Sequence, residues 1–179
     1  MSYTEEREDN LVVELPEERY FRFENCDTYS RVSSHGITEA DFVWMTEEEN
    51  EVWVMELKDY GPDSRGDLEE AIETLRDKLP KNLVHAFLLV ASVWSETPFS
   101  QHLRADIEET FPEFPASGCP VCAAAIIRLE NPADNALLLA LQDSIQSAVD
   151  IIGFKVVVVL PTTSDRLEED LGIRISDTA

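Results

Sequence analysis

Lysine is scarce in this chain: Lys58, Lys78, Lys81 and Lys155 are the only four in 179 residues. Basic residues number 14 against 37 acidic ones, which leaves a net charge of −23. That balance lacks the basic footprint by which a protein grips nucleic acid unaided. Strong acidity keeps a protein soluble and repels polyanions, and it says little about fold. Salt-adapted organisms use the same acid-rich, lysine-poor composition, and there salt screens the repulsion. Composition alone does not choose between these two meanings.

Cysteine is also sparse, with three residues, so there is no disulfide framework. Cys26 stands alone, while Cys119 and Cys122 form a CPVC pair. Tetrahedral zinc needs four ligands and the chain has no second pair, so a zinc site would have to be shared across a homodimer. The simpler reading is two small apolar residues leading into a buried strand.

Long hydrophobic runs are missing too. Leu83–Val93, Val121–Leu129 and Phe154–Leu160 are the longest, and all are strand-sized rather than membrane-spanning. Met1–Asn10 is acidic and polar, unlike a signal or transit peptide. The expectation is a cytoplasmic protein with no membrane partner. Neither a Walker motif nor a glycine-rich dinucleotide loop occurs. His35, His85 and His102 show no metal or triad spacing. Ser33-Ser34-His35-Gly36 lacks the strand-to-helix elbow of a nucleophile and reads as a turn.

What is present is an ordinary globular chain. A hydrophobic fraction of 44% is too high for disorder, and the length suits one domain over residues 1–179. Leu11–Leu15 and Arg19–Phe23, separated by Pro16, read as short strands, and Asp27–Thr38 as a polar stretch turning at Gly36. Asp41–Met45 and Glu51–Leu57 are rich in Val, Trp, Phe and Met around the acidic tip Glu47–Asn50, a hairpin pattern. Ser64 and Asp67 resemble a capping box, and Leu68, Ala71, Ile72, Leu75 and Leu79 share a helical face that Pro80 is expected to end. Val84–Val93 then reads as a buried strand. A helix over Phe99–Phe111 follows, then a strand at Val121–Leu129. A helix from Asn131-Pro132 to about Ile152 leads to a strand at Phe154–Leu160, with a short helix at Asp165–Leu171. The fold class implied is α/β, a central mixed sheet with helices on both faces.

The hairpin register places chemistry. Met45 faces Val52, Val43 faces Val54 and Asp41 faces Glu56, and directly opposed residues share a face. Lys58, two residues beyond Glu56, points the same way. Phe42, Trp44, Trp53, Met55 and Leu57 point to the other face. Two carboxylates and one ammonium thus emerge together, a set able to hold Mg²⁺ or Mn²⁺ and to orient a water. The bland alternative is a sheet-end ion pair in which Lys58 neutralises Asp41, Glu56 or Glu39.

Ala40-Asp41, fourteen intervening residues and Glu56-Leu57-Lys58 resemble the PD-(D/E)XK nuclease superfamily. The resemblance spans about Glu39–Val93 and has alanine in place of the motif proline. It implies a restriction-endonuclease-like core, with Ser64–Pro80 as the following helix and Val84–Val93 as the next strand. It further implies Asp41 and Glu56 as metal ligands and Lys58 as the water-positioning residue. Such proteins often carry a further glutamate before the hairpin, for which Glu14, Glu18 and Glu24 are the candidates here. The activity expected is metal-dependent phosphodiester hydrolysis with nucleic acid as partner, despite the charge. The alternative is a non-catalytic binding or regulatory protein that keeps the fold, as a homodimer or with a protein partner.

Overall fold

Alternation of buried and half-buried residues sets the first strands of the computed structural model, which describes residues 3–46, 50–61, 68–115, 118–129 and 135–177. β1 (Tyr3–Glu8) and β2 (Leu11–Pro16) form an antiparallel hairpin, and β8 (Arg174–Asp177) pairs antiparallel with β2. The main sheet has five strands in the order β3 (Tyr20–Phe21), β4 (Phe42–Met45), β5 (Val52–Tyr60), β6 (Val121–Leu129) and β7 (Val157–Pro161). β4 runs antiparallel to both of its neighbours, β3 and β5, whereas β5, β6 and β7 are parallel. The class is therefore mixed α/β.

The helices are α1 (Asp27–Ser33), α2 (Leu68–Val93), α3 (Pro98–Glu108), α4 (Asn135–Val149) and α5 (Arg166–Glu169), with a 3-10 turn at Phe23–Asn25. No helix among the described residues is long and apolar enough to cross a membrane. α3 begins where Thr97 accepts a hydrogen bond from the Ser100 N–H and Pro98 occupies the first turn, a standard way to satisfy free helix-end donors.

α2 departs from the sequence reading. The segment Val84–Val93, expected as a strand, is the second half of one helix that passes through Pro80. Ile72, Leu75, Leu79, Leu83, Ala86, Val90 and Val93 are all buried, while Leu88 is 55% exposed. That stripe has helical spacing and continues across the proline. Proline removes the N–H that would bond the Arg76 carbonyl and crowds the preceding turn; burial of seven apolar side chains on the same stripe outweighs it. The Ser64–Asp67 capping box and the start at Asn131-Pro132 lie outside the described residues. The polar Asp27–Thr38 stretch begins as α1, and Gly36 has the positive φ of 81° that its turn requires.

The two faces of the main sheet are covered differently. Val43, Val52, Val54, Ala123, Ala125, Ile127 and Val159 pack with α2, α3 and α4. Trp44, Trp53, Met55, Leu57, Cys122 and Ile126 pack with β2, Leu167, Leu171 and Ile173. Helices thus lie on both faces, but unequally: the second face is covered by the small sheet together with the short helix α5. Leu11, Val13 and Leu15 on β2 supply the apolar cover that a long helix would otherwise give. Cys122 and Cys26 are buried free thiols in these packed layers, and Cys119 is half-buried.

Candidate functional site

Strand pairing between β4 and β5 follows the expected register, with Val43 opposite Val54 and Met45 opposite Val52. Extending it by one residue from the Phe42–Met55 pair brings Asp41 beside Glu56. The Asp41 carboxylate accepts a hydrogen bond from the Leu57 N–H at 2.6 Å, which fixes it against β5. Lys58 Nζ lies 2.9 Å from Glu56 Oε1 and 3.5 Å from Asp41 Oδ2. The three side chains named from sequence are brought together. Glu39 is not paired with Lys58; it interacts with Tyr29 instead.

The site opens toward the α2 face. Asn82, from the middle of α2, donates its amide to Glu56 Oε1 at 2.8 Å. Glu56 is 2% exposed, and its second oxygen, Oε2, has no hydrogen-bond partner among the described residues. A buried carboxylate oxygen left without a donor is costly. Burial first, and then the Glu56 charge, push the Asp41 carboxyl up to about 6, against the lowering influence of Lys58 and the Leu57 N–H. Burial works against the Lys58 charge, but Glu56 and Asp41 more than offset it, so its pKa is raised. Two acids share one base.

Glu8, at the end of β1, extends this field. Its pKa is raised by burial and then by the Asp41 charge, and Arg22 opposes both. Arg22 is committed to Glu8 at 2.6 Å and to Glu24 at 2.6 Å, and it stacks over the Phe42 ring at 4.6 Å. Of the three glutamates weighed from sequence, Glu24 is held by Arg22, Glu14 pairs with Arg174 at 3.6 Å and Glu18 lies in the turn before β3 with a φ of 61°; no contact joins any of them to Asp41 or Glu56 among the described residues. Asn82 and Glu8 were missed. β1 carries little apolar signal, and Asn82 reaches the site only because α2 crosses that strand end.

Among the described residues no group of three or more His, Cys, Asp or Glu side chains is disposed to hold a metal ion. No protein family, curated protein or solved structure matches the chain.

The raised Asp41 pKa has a sign that can be measured. A carboxyl at about 6 in the fold and 3.8 ordinarily binds its proton more tightly folded than unfolded. Stability then falls as pH rises between those values and stays lower above them. Asp41→Asn keeps an oxygen for the Leu57 N–H and removes the like charge. In metal-free buffer it should stabilise the protein above pH 6 by on the order of 1–3 kcal/mol, a gain that disappears toward pH 4. Urea melts across that range would show it. Equal destabilisation at every pH would mean that Asp41 acts chiefly as a favourable ion-pair partner of Lys58.

Proposed function

We propose that Asp41, Glu56 and Lys58 form the site of a metal-dependent phosphodiester hydrolase. The observation that carries this reading is the buried Glu56 Oε2, without a donor and beside a second carboxylate whose pKa is raised. The pair has a surplus of negative charge that one ammonium does not balance. Divalent magnesium takes oxygen ligands and is commonly held by one or two carboxylates, with waters and substrate phosphate completing the shell. When bound, the ion supplies Lewis-acid polarisation of the phosphodiester and makes a bound water more acidic.

The chain's own residues divide the remaining work. Asp41 and Glu56 would hold the ion, with the Leu57 N–H and the Asn82 amide fixing their orientation, as second partners of ligating carboxylates do. Lys58 would orient the attacking water and offset negative charge that develops on the phosphate oxygens. Its raised pKa keeps it cationic through neutral pH, so its part is electrostatic and not that of a general base.

A second reading has a specific observation behind it. Among the described residues, the arginines near the site are tied to acids: Arg22 to Glu8 and Glu24, and Arg128 to Asp59 at 3.7 Å. With a net charge of −23, this leaves little basic surface for gripping a phosphate backbone. That favours a non-catalytic binding or regulatory protein in which Lys58 serves as the counter-ion of a buried acid pair.

Metal binding separates the two readings at the first step. Mg²⁺ or Mn²⁺ at a hundredfold excess over its Kd should stabilise the protein by about 2.7 kcal/mol, a melting rise of roughly 5–10 °C for a domain of this size. Asp41→Asn should remove most of that rise. An undiminished rise in the variant would place the ion elsewhere among the acids and end the proposal.

A further inference from the structure

Three of the chain's four lysines, Lys58, Lys78 and Lys81, lie on β5 and in the middle of α2. Lys155, the fourth, is salt-bridged to Glu51, and Lys58 to Glu56 and Asp41. Lys78 and Lys81 are exposed, and no acid among the described residues pairs with either. In a chain with a net charge of −23, two neighbouring ammonium groups without counter-ions are an exception.

Two contacts place them beside the carboxylate site. Asn82 donates to Glu56 Oε1 at 2.8 Å. His85 Nδ1, one turn further along, accepts from the Thr38 N–H at 3.0 Å, and Thr38 lies three residues before Asp41. One flank of α2 therefore borders both β5 at Glu56 and the segment that leads into Asp41. Helical spacing continues through Pro80, and residues three and four apart on a helix are neighbours. That puts Lys78 on this flank one turn before Asn82, and Lys81 beside it, one turn before His85. Burial, and then the charge of Lys81, lower the His85 pKa, so the Lys81 ammonium is near that ring. From Lys78 to His85 the rise is about 10 Å. Arg76, bonded to Glu73 at 3.5 Å, stands on the other flank.

We propose that Lys78 and Lys81 are the phosphate contacts of a track that leads a single strand of nucleic acid past Asp41, Glu56 and Lys58. The choice of a phosphodiester ligand rests on the hydrolase reading of that site. Lysine meets phosphate as a point charge, and such contacts position the backbone without reading sequence. Proteins that hold a duplex neutralise roughly six to ten phosphates, whereas two lysines within a rise of about 10 Å suit a few phosphates of one strand. A second strand would meet Glu70 and Asp77, which are exposed on the face of α2 opposite its buried stripe. The rest of the surface repels it.

Fluorescence anisotropy of a short labelled oligonucleotide, as a single strand and as the duplex of equal length, supplies the test. Ca²⁺ replaces Mg²⁺ in the binding buffer, and strand length is checked afterwards on a gel. Salt is held at about 0.15 M, where interactions beyond roughly 8 Å are screened. The single strand should bind at least tenfold more tightly than the duplex. Lys78→Gln and Lys81→Gln should each weaken it about two- to fivefold, the size of an exposed charge pair, and the double variant about tenfold. Arg76→Gln removes the same charge from the other flank and should leave the affinity within about twofold. The double variant should keep its melting temperature, since exposed side chains without partners contribute little, and should keep its Mn²⁺-induced melting rise. Any of three results would overturn the track: no binding of the single strand at high micromolar protein, a duplex bound as tightly, or a double variant no weaker than Arg76→Gln. None of these touches the metal response of Asp41 and Glu56, so the hydrolase reading stands or falls separately. Lysine-dependent strand binding without a metal response would keep the track and sink that reading.

Discussion

Lys58→Ala should lower metal-dependent cleavage of a nucleic-acid substrate by about 10²–10³-fold, the usual cost of removing one preorganised electrostatic group. Its ammonium is the only basic group bonded to both Glu56 and Asp41 among the described residues. The variant also leaves two buried carboxylates without their counter-ion, so its melting temperature must be followed alongside. Metal supplies that missing charge if Asp41 and Glu56 hold it. The thermal response to Mn²⁺ should therefore be retained or enlarged in Lys58→Ala while cleavage is lost. Ionic strength is the second axis. Repulsion between this acidic protein and a phosphate backbone reaches roughly 30 Å at about 0.01 M salt and only about 10 Å at roughly 0.1 M. Activity should hold or rise with moderate salt, unlike that of a basic protein whose affinity falls as counterions return. Single-stranded, duplex and branched substrates should all be screened with Mn²⁺ across that range. A folded, metal-bound protein that cleaves none of them would favour the binding-protein reading.

The hairpin could be read in advance because its information is local. Period-2 alternation, β-branched and aromatic residues and a polar tip fix the register of Val43 against Val54. That register then carries Asp41, Glu56 and Lys58 to one face with no tertiary knowledge. The cover of the other face was not legible. β1 reads Tyr-Thr-Glu-Glu-Arg-Glu, with no buried residue, and it is a strand because Glu6 and Thr4 find Val13 and Leu15 as partners on β2. β8 is likewise a strand by pairing with Val12 and Val13. Polar edge strands of this kind owe their structure to a partner distant in sequence.

Helix α2 failed for a different reason. Leu83–Val93 is apolar nearly throughout, and periodicity cannot separate a buried strand from a buried helix in such a run. Pro80 tipped the choice toward a break. Tertiary packing decided otherwise, with Leu79 and Leu83 both buried on either side of the proline. The consequence reaches the site, because Asn82 meets Glu56 only when the helix continues past Pro80. The strand pairing with β5 in parallel is β6, reached after α2 and α3, and not the Val84–Val93 segment that the resemblance implied.

Trp44→Ala should be among the most destabilising single changes in the chain. Trp44 is fully buried in the layer between the main sheet and β2. It stacks on Trp53, and its indole N–H holds the Leu171 carbonyl, tying the hairpin to the segment after α5. Truncating a buried tryptophan to alanine costs about 3–5 kcal/mol through lost burial and the cavity left behind. Leaving the Leu171 carbonyl without its donor adds about 1–3 kcal/mol. Against a total stability of about 5–15 kcal/mol for a domain, the variant should lose much of its folded margin. Trp44→Phe separates the contributions, since it keeps most of the ring and removes only the donor, and it should cost about half as much or less. Leu139→Ala on α4, where the side chain is 66% exposed, should change stability by no more than about 0.5 kcal/mol. Urea midpoints for the three variants, compared at constant m-value, give the ranking. A Trp44→Ala loss no larger than that of Leu139→Ala would mean that the small sheet does not bury this face of the main sheet in solution.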